Sequence, residues 1–131
     1  MQDSNTGTSP KKRILCVEDD KDTCELLSIL FSEYEVVFAG SLREAFSLLE
    51  SKHFDLYVLD NWLPDGSGIE VCRRIHELKP HVPIIFTSAV GQNSEIKKAL
   101  AAGAREYLVK PYEPEKLQKI VKELLAETAQ I

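Results

Sequence analysis

Long hydrophobic runs are missing from this chain. No apolar stretch approaches the roughly 20 residues that a bilayer span requires. The first twelve residues, MQDSNTGTSPKK, are polar and lack the apolar h-region of a signal peptide. No membrane association is therefore expected. An excess of positive charge is missing too: 16 Lys and Arg stand against 21 Asp and Glu, a formal net charge of −5. A general binder of nucleic acid or anionic lipid needs a basic surface, so neither is expected as a partner. Cysteine is scarce. Cys16, Cys24 and Cys72 are odd in number and far apart, with no CxxC and no Cys/His metal spacing. Packed thiols in a reducing cytosol are the simple reading. His53, His76 and His81 are scattered and have no ligand partner at useful spacing.

What is present is regular. A length of 131 residues suggests one domain with a real core. Residues 1–12 read as a flexible tail by composition, 13–127 as the folded domain and 128–131 as a short C-terminal tail. Five β-rich runs follow the first tail: RILCV (13–17), EVVFA (35–39), DLYVLD (55–60), PIIFTS (83–88) and EYLVK (106–110). Helical patterns alternate with them. Leu26, Leu27, Leu30 and Phe31 form a face after Asp20, which caps that helix. Ser41-Leu42-Arg43-Glu44 is a capping box ahead of Ala45, Phe46, Leu48 and Leu49. Ile69, Cys72, Ile75 and Leu78 line a third helix. Ile96, Ala99 and Leu100 line a fourth, ended by Gly103 in a left-handed cap. Leu117, Ile120, Val121, Leu124 and Leu125 line a fifth, with Pro114 at its first position. Strict β–α alternation implies a parallel sheet with helices on both faces. Its central strands should be apolar throughout, and ILCV, YVL and IIF are.

The third strand ends on a carboxylate, Asp60, followed by a turn containing Pro64, Asp65, Gly66 and Gly68. Either Asp60 caps that turn or it belongs to a site, because burying a charge is costly unless it is paired or binds a metal. Ligands of open parallel sheets bind at the carboxyl ends of the strands. There the first strand delivers Glu18, Asp19 and Asp20, the third Asp60, the fourth Thr87 and Ser88, and the fifth Lys110. Clustered carboxylates repel by about 4 kcal/mol per pair at 4 Å and an effective dielectric of 20. They must hold protons or a hard cation, and an all-oxygen set favours Mg²⁺ over zinc. With the Lys110 ammonium and the Ser88 hydroxyl this is a phosphate-accepting arrangement with a carboxylate among its oxygens.

Four segments, VEDD, VLDNWLPDGSG, FTSA and GAREYLVKP, occur in this order, and with them residues 12–127 resemble the receiver domain of two-component response regulators. The resemblance implies a flavodoxin-like (βα)5 three-layer sandwich with a five-stranded parallel sheet of order 2-1-3-4-5. It implies that Asp60 is the phosphoacceptor, that Asp19 is a direct Mg²⁺ ligand, that Glu18 is a second acidic position acting through water, and that the Trp62 carbonyl is a further ligand. It casts Lys110 as the phosphoryl-holding amine, joined to Pro111 by a cis bond. It makes Ser88, rather than Thr87, the switch hydroxyl, and Tyr107 the aromatic switch. Trp62 and Val90 would flank the phosphoryl group and slow its hydrolysis, unless Trp62 packs outward.

A cytoplasmic signalling domain follows, one that is not an enzyme in the ordinary sense but has its own Mg²⁺-dependent autophosphorylation and dephosphorylation chemistry. Its partners would be a sensor histidine kinase or phosphotransfer protein, and an output domain or downstream protein reading the surface of the fourth helix, fifth strand and fifth helix. Charges on that surface, such as Lys97, Arg105 and Lys119, also suggest a homodimer. A chain that stops just after the fifth helix fits a stand-alone regulator and a fragment equally. Two rivals are weaker. A Mg²⁺-dependent phosphatase of the Asp-nucleophile kind would carry a second Asp where Trp62 stands, and a non-phosphorylated pseudo-receiver would lack one of the acids or the lysine.

Overall fold

The structure is a computed structural model and describes residues 10–129. The expectation of a flexible tail over 1–12 falls mostly outside them. Five strands, β1 (Arg13–Val17), β2 (Glu35–Ala39), β3 (Leu56–Asp60), β4 (Ile84–Ser88) and β5 (Glu106–Val109), alternate with helices α1 (Lys21–Leu30), α2 (Leu42–Ser51), α3 (Gly68–Leu78), α4 (Asn93–Ala101) and α5 (Pro114–Ala129). All neighbouring pairs in this sheet are parallel and the order is β2-β1-β3-β4-β5, the doubly wound 2-1-3-4-5 arrangement. Each strand lies within a residue of its expected range. Asp55 leaves β3 because its carboxylate accepts the Arg13 N–H at 2.8 Å, and Pro83 has no N–H to give the ladder.

Side chains alternate between the two faces with period two. Leu15, Val17, Tyr57, Leu59, Ile84 and Phe86 pack under α2, α3 and α4. Ile14, Cys16, Leu56, Val58 and Ile85 pack under α1 and α5. A central strand thus needs apolar residues at every position, which accounts for the unbroken runs. Cys16 and Cys72 are buried free thiols, and burial pushes both upward, Cys72 to about 11, so neither is a thiolate at neutral pH.

The helix ends follow local chemistry. Asp20 caps α1, its carboxylate accepting from the Thr23 N–H at 2.9 Å. Gly103 has φ +118°. Its N–H meets the Leu100 carbonyl at 3.1 Å and that of Ala104 meets Ala99 at 3.0 Å, the paired bonds of a Schellman motif. The capping box at Ser41 is half-formed. Ser41 Oγ accepts the Glu44 N–H, but the Glu44 carboxylate reaches one residue further back, to the Gly40 N–H. Three expected core positions prove exposed: Leu26, Leu78 and Leu100 at 39, 49 and 46%. Each lies at the edge of its helix's apolar arc. α5 runs to Ala129, so its helical hydrogen bonding continues two residues past the expected boundary at 127.

Candidate functional site

Parallel strands share one carboxyl edge, and the site assembles there. Glu18 and Asp19 follow β1, Asp60 ends β3, and Lys110 follows β5. One carboxylate oxygen from each of Glu18, Asp19 and Asp60 lies within 4.8 Å of the other two. Lys110 Nζ donates to Asp60 Oδ1 at 3.0 Å and to Glu18 Oε1 at 3.2 Å. Glu18 and Asp60 are 5 and 7% exposed, whereas Asp19 faces solvent. The Asp60 side chain pairs with Lys110 inside an acidic cluster.

Three carboxylates face one ammonium, a surplus of two negative charges when all are ionised. Burial pushes the Glu18 carboxyl above its ordinary range. The Asp20 N–H on its Oε2 pulls the other way, the Asp60 charge adds to the rise, and Lys110 opposes it. Burial would lower the Lys110 ammonium, but its bonds to Asp60 and Glu18 outweigh that and hold it above its usual value. An all-oxygen donor set with a surplus of negative charge fits a hard divalent cation such as Mg²⁺.

A carboxyl raised in the folded state costs stability once it ionises. Its penalty is absent below the unfolded value, near pH 4, and grows as pH rises through the folded value. Glu18→Gln is therefore expected to raise the urea midpoint of the metal-free protein at about pH 7, with the gain vanishing near pH 4. Urea titrations at both values check this. Equal midpoints at neutral pH would mean that Lys110 compensates the charge completely.

The hydroxyls at the end of β4 divide their work. Thr87 Oγ1 donates to the Leu59 carbonyl at 3.2 Å, which ties it to the sheet. Ser88, fully buried, accepts the Val90 N–H at 3.1 Å. Tyr107 donates its O–H to the Val90 carbonyl, and its ring stacks on Phe86 with centroids 5.6 Å apart. Ser88 and Tyr107 therefore hold the same residue from two sides. The Lys110–Pro111 bond is cis. Trp62 lies on a two-stranded antiparallel ribbon, Trp62–Leu63 with Gly66–Ser67. Trp62 is 68% exposed, in keeping with the outward-packing alternative.

Two contributions were not legible beforehand. The Asp20 N–H that anchors Glu18 is a main-chain donor, and no residue type announces it. Gly68 sits where a Cβ would lie 2.2 Å from the Asp60 carbonyl oxygen. In the sequence it is one turn glycine among several.

The family described as "Response regulator receiver domain" matches residues 14–122. The chain belongs to this family. Its receiver domain is 39% identical over 118 residues to the response regulator MprA of Mycolicibacterium vanbaalenii, covering 88% of this chain and 51% of MprA. The chain thus spans about half the length of curated relatives such as MprA. A CheY-like receiver domain protein from Methanospirillum hungatei JF-1 superposes with a TM-score of 0.85 at 34% identity, covering 92% of this chain and 98% of that one. The beryllofluoride-activated NtrC4 receiver domain, described as a dimer, superposes at 0.81 with 32% identity and coverage of 88 and 97%. The protein is accordingly a receiver domain of two-component signalling with a flavodoxin-like fold. Receiver domains bind Mg²⁺ at an acidic cluster, and this one has such a cluster in Glu18, Asp19 and Asp60. No helix among the described residues is long and apolar enough to cross a membrane.

Proposed function

We propose that Asp60 accepts a phosphoryl group from the phosphohistidine of a sensor histidine kinase or phosphotransfer protein. The observation that carries this reading is a buried carboxylate at a strand end, bonded to an ammonium and crowded by two further acids. An Asp60 oxygen forms a bond to phosphorus while the P–N bond breaks, and the electron pair returns to the imidazole. Lys110 pairs with the transferred group, a role supported by its existing bond to an Asp60 oxygen. Mg²⁺, held by Glu18, Asp19, Asp60 and the Trp62 carbonyl, would supply neutralising charge for the incoming phosphoryl oxygens. Asp19, the exposed acid, leaves the cluster open to that entry. Ser88 gives up the Val90 N–H to meet the phosphoryl group, and Tyr107, tied to the same residue, follows. The surface of α4, β5 and α5 then changes for an output domain or downstream protein. The same chemistry gives slow autophosphorylation and hydrolysis, and the setting is the cytoplasm.

Incubation with acetyl phosphate and Mg²⁺, read by intact mass, tests this. A gain of about 80 Da that depends on Mg²⁺ supports the reading. Steady turnover without an adduct would point to a phosphatase, and no reaction to a pseudo-receiver.

The α4-β5-α5 face also supports a phosphorylation-dependent homodimer. Leu100 and Val109 are exposed there at 46 and 41%, and the activated NtrC4 receiver is described as a dimer. Two charges on that face are already committed within the chain, Lys98 to Glu95 at 3.1 Å and Arg105 to Glu127 at 2.9 Å, so pairing across a dimer must exchange them. Sedimentation is expected to show a monomer without beryllofluoride and a dimer with it. A monomer in both states at high concentration would count against this surface.

A further inference from the structure

α2 begins with four backbone N–H groups that have no partner inside the helix. Ser41 serves one of them, its Oγ accepting from Glu44, while its carbonyl takes the Ala45 N–H in the first intrahelical bond. Two more are taken by a residue from elsewhere in the chain. Asp65 accepts the Leu42 N–H at 2.7 Å and the Arg43 N–H at 3.1 Å, one through each carboxylate oxygen. These bonds hold its carboxyl below the usual range.

Asp65 sits, with Pro64, at the tip of the Trp62–Leu63/Gly66–Ser67 ribbon. That ribbon is the segment leaving Asp60. Its base is tied down separately. Asn61 donates its N–H to the Thr87 carbonyl at 3.1 Å, Ser67 Oγ bonds Asn61 Oδ1 at 2.8 Å, and Gly68 donates to the Asn61 carbonyl at 2.9 Å. Trp62 lies between the tied base and the tip. Its exposed indole gives little packing to hold it. Near the tip, Gly66 lies so close to Leu42 that a Cβ would fall 2.4 Å from its Cδ1, so the ribbon rests on α2 as well as bonding to it.

We infer that Asp65 is a positioning residue for the metal-binding loop: by clamping the ribbon tip to the N-terminus of α2 it pre-sets the main chain at Trp62, whose carbonyl is the proposed ligand. The inference rests on the proposed function for the identity of that ligand. The clamp itself does not. A loop held at both ends presents its carbonyl without first being ordered, so the metal gains affinity from the anchor without touching it.

Ser41→Ala provides the control, since it removes a cap from the same helix without touching the ribbon. Asp65→Ala removes both cap and clamp. Asp65→Asn keeps an oxygen that can accept one of the two bonds. Amide hydrogen exchange on the metal-free variants is expected to quicken at residues 62–66 in Asp65→Ala, less in Asp65→Asn, and to stay at the parent's rate there in Ser41→Ala. Mg²⁺ affinity by calorimetry is expected to fall about tenfold in Asp65→Ala, with Asp65→Asn intermediate and Ser41→Ala within about twofold of the parent. Equal effects of Asp65→Ala and Ser41→Ala on both readings would overturn the inference, as would no effect of either. Neither reading needs phosphorylation. A parent that binds Mg²⁺ and takes no phosphoryl group would sink the proposed function and leave the clamp standing.

Discussion

Asp60→Asn is expected to abolish the phosphoryl adduct while leaving the fold in place. A carboxylate carries its nucleophilic electron pair on an anionic oxygen. The amide that replaces it has no such charge, and its nitrogen lone pair is delocalised into the carbonyl. A loss of at least about a thousandfold in rate corresponds to about 4 kcal/mol of barrier. The fold should tolerate the change because two effects oppose each other. The bond from Lys110, now 3.0 Å from Oδ1, loses its charged acceptor at a cost of about 2 kcal/mol. Removing one of the three clustered negative charges relieves repulsion of comparable size. Intact mass after acetyl phosphate treatment, with the urea midpoint alongside, checks both halves. An adduct that forms at the parent's rate would move the phosphoacceptor to another residue, and peptide mapping would show which.

Gly68→Ala is expected to cost about 3 kcal/mol, near the upper end for overpacking, and to slow phosphorylation as well. The added Cβ would stand 2.2 Å from the Asp60 carbonyl oxygen, 3.1 Å from its carbon and 3.4 Å from the Asn61 Cα. All three are backbone atoms, so no side chain can swing aside. Either α3 retreats, loosening Val71, Cys72 and Ile75 from the core, or the end of β3 moves and carries Asp60 with it. Gly103 is a milder case. The three atoms nearest a Cβ there belong to the His76 side chain, at 2.5–2.8 Å, and include its Cβ, which no side-chain rotation moves. Gly103→Ala should therefore cost about 2 kcal/mol, from this contact and its positive φ. Urea melts of the two variants give the comparison. A Gly68→Ala protein as stable as the parent would mean that the helix and strand can part without penalty.

The strands, most helix caps and the gathering of three acids and a lysine at one sheet edge were legible in the residues. Unbroken apolar runs mark strands buried on both faces. Asp20, Ser41 and Pro114 announce helix starts through chemistry that acts within a few residues. The acids and the lysine were found because parallel strands bring their carboxyl ends to one edge, which makes residues 18, 60 and 110 neighbours whatever the loops do.

Other features depended on the three-dimensional packing. Leu78 and Leu100 have the spacing of core residues, yet they are exposed, because burial depends on how far the next helix extends. Glu44 sits at the capping-box position, but its carboxylate turns to Gly40, since the direction of a flexible side chain is set by the nearest open donor. Asp65 reads as one more turn residue in PDG. Its bonds to Leu42 and Arg43, 23 and 22 residues away, exist because the sheet places the β3 loop beside the start of α2. Patterns set by near neighbours along the chain can be read from it, whereas partners chosen by the packing of distant segments are determined when the layers close.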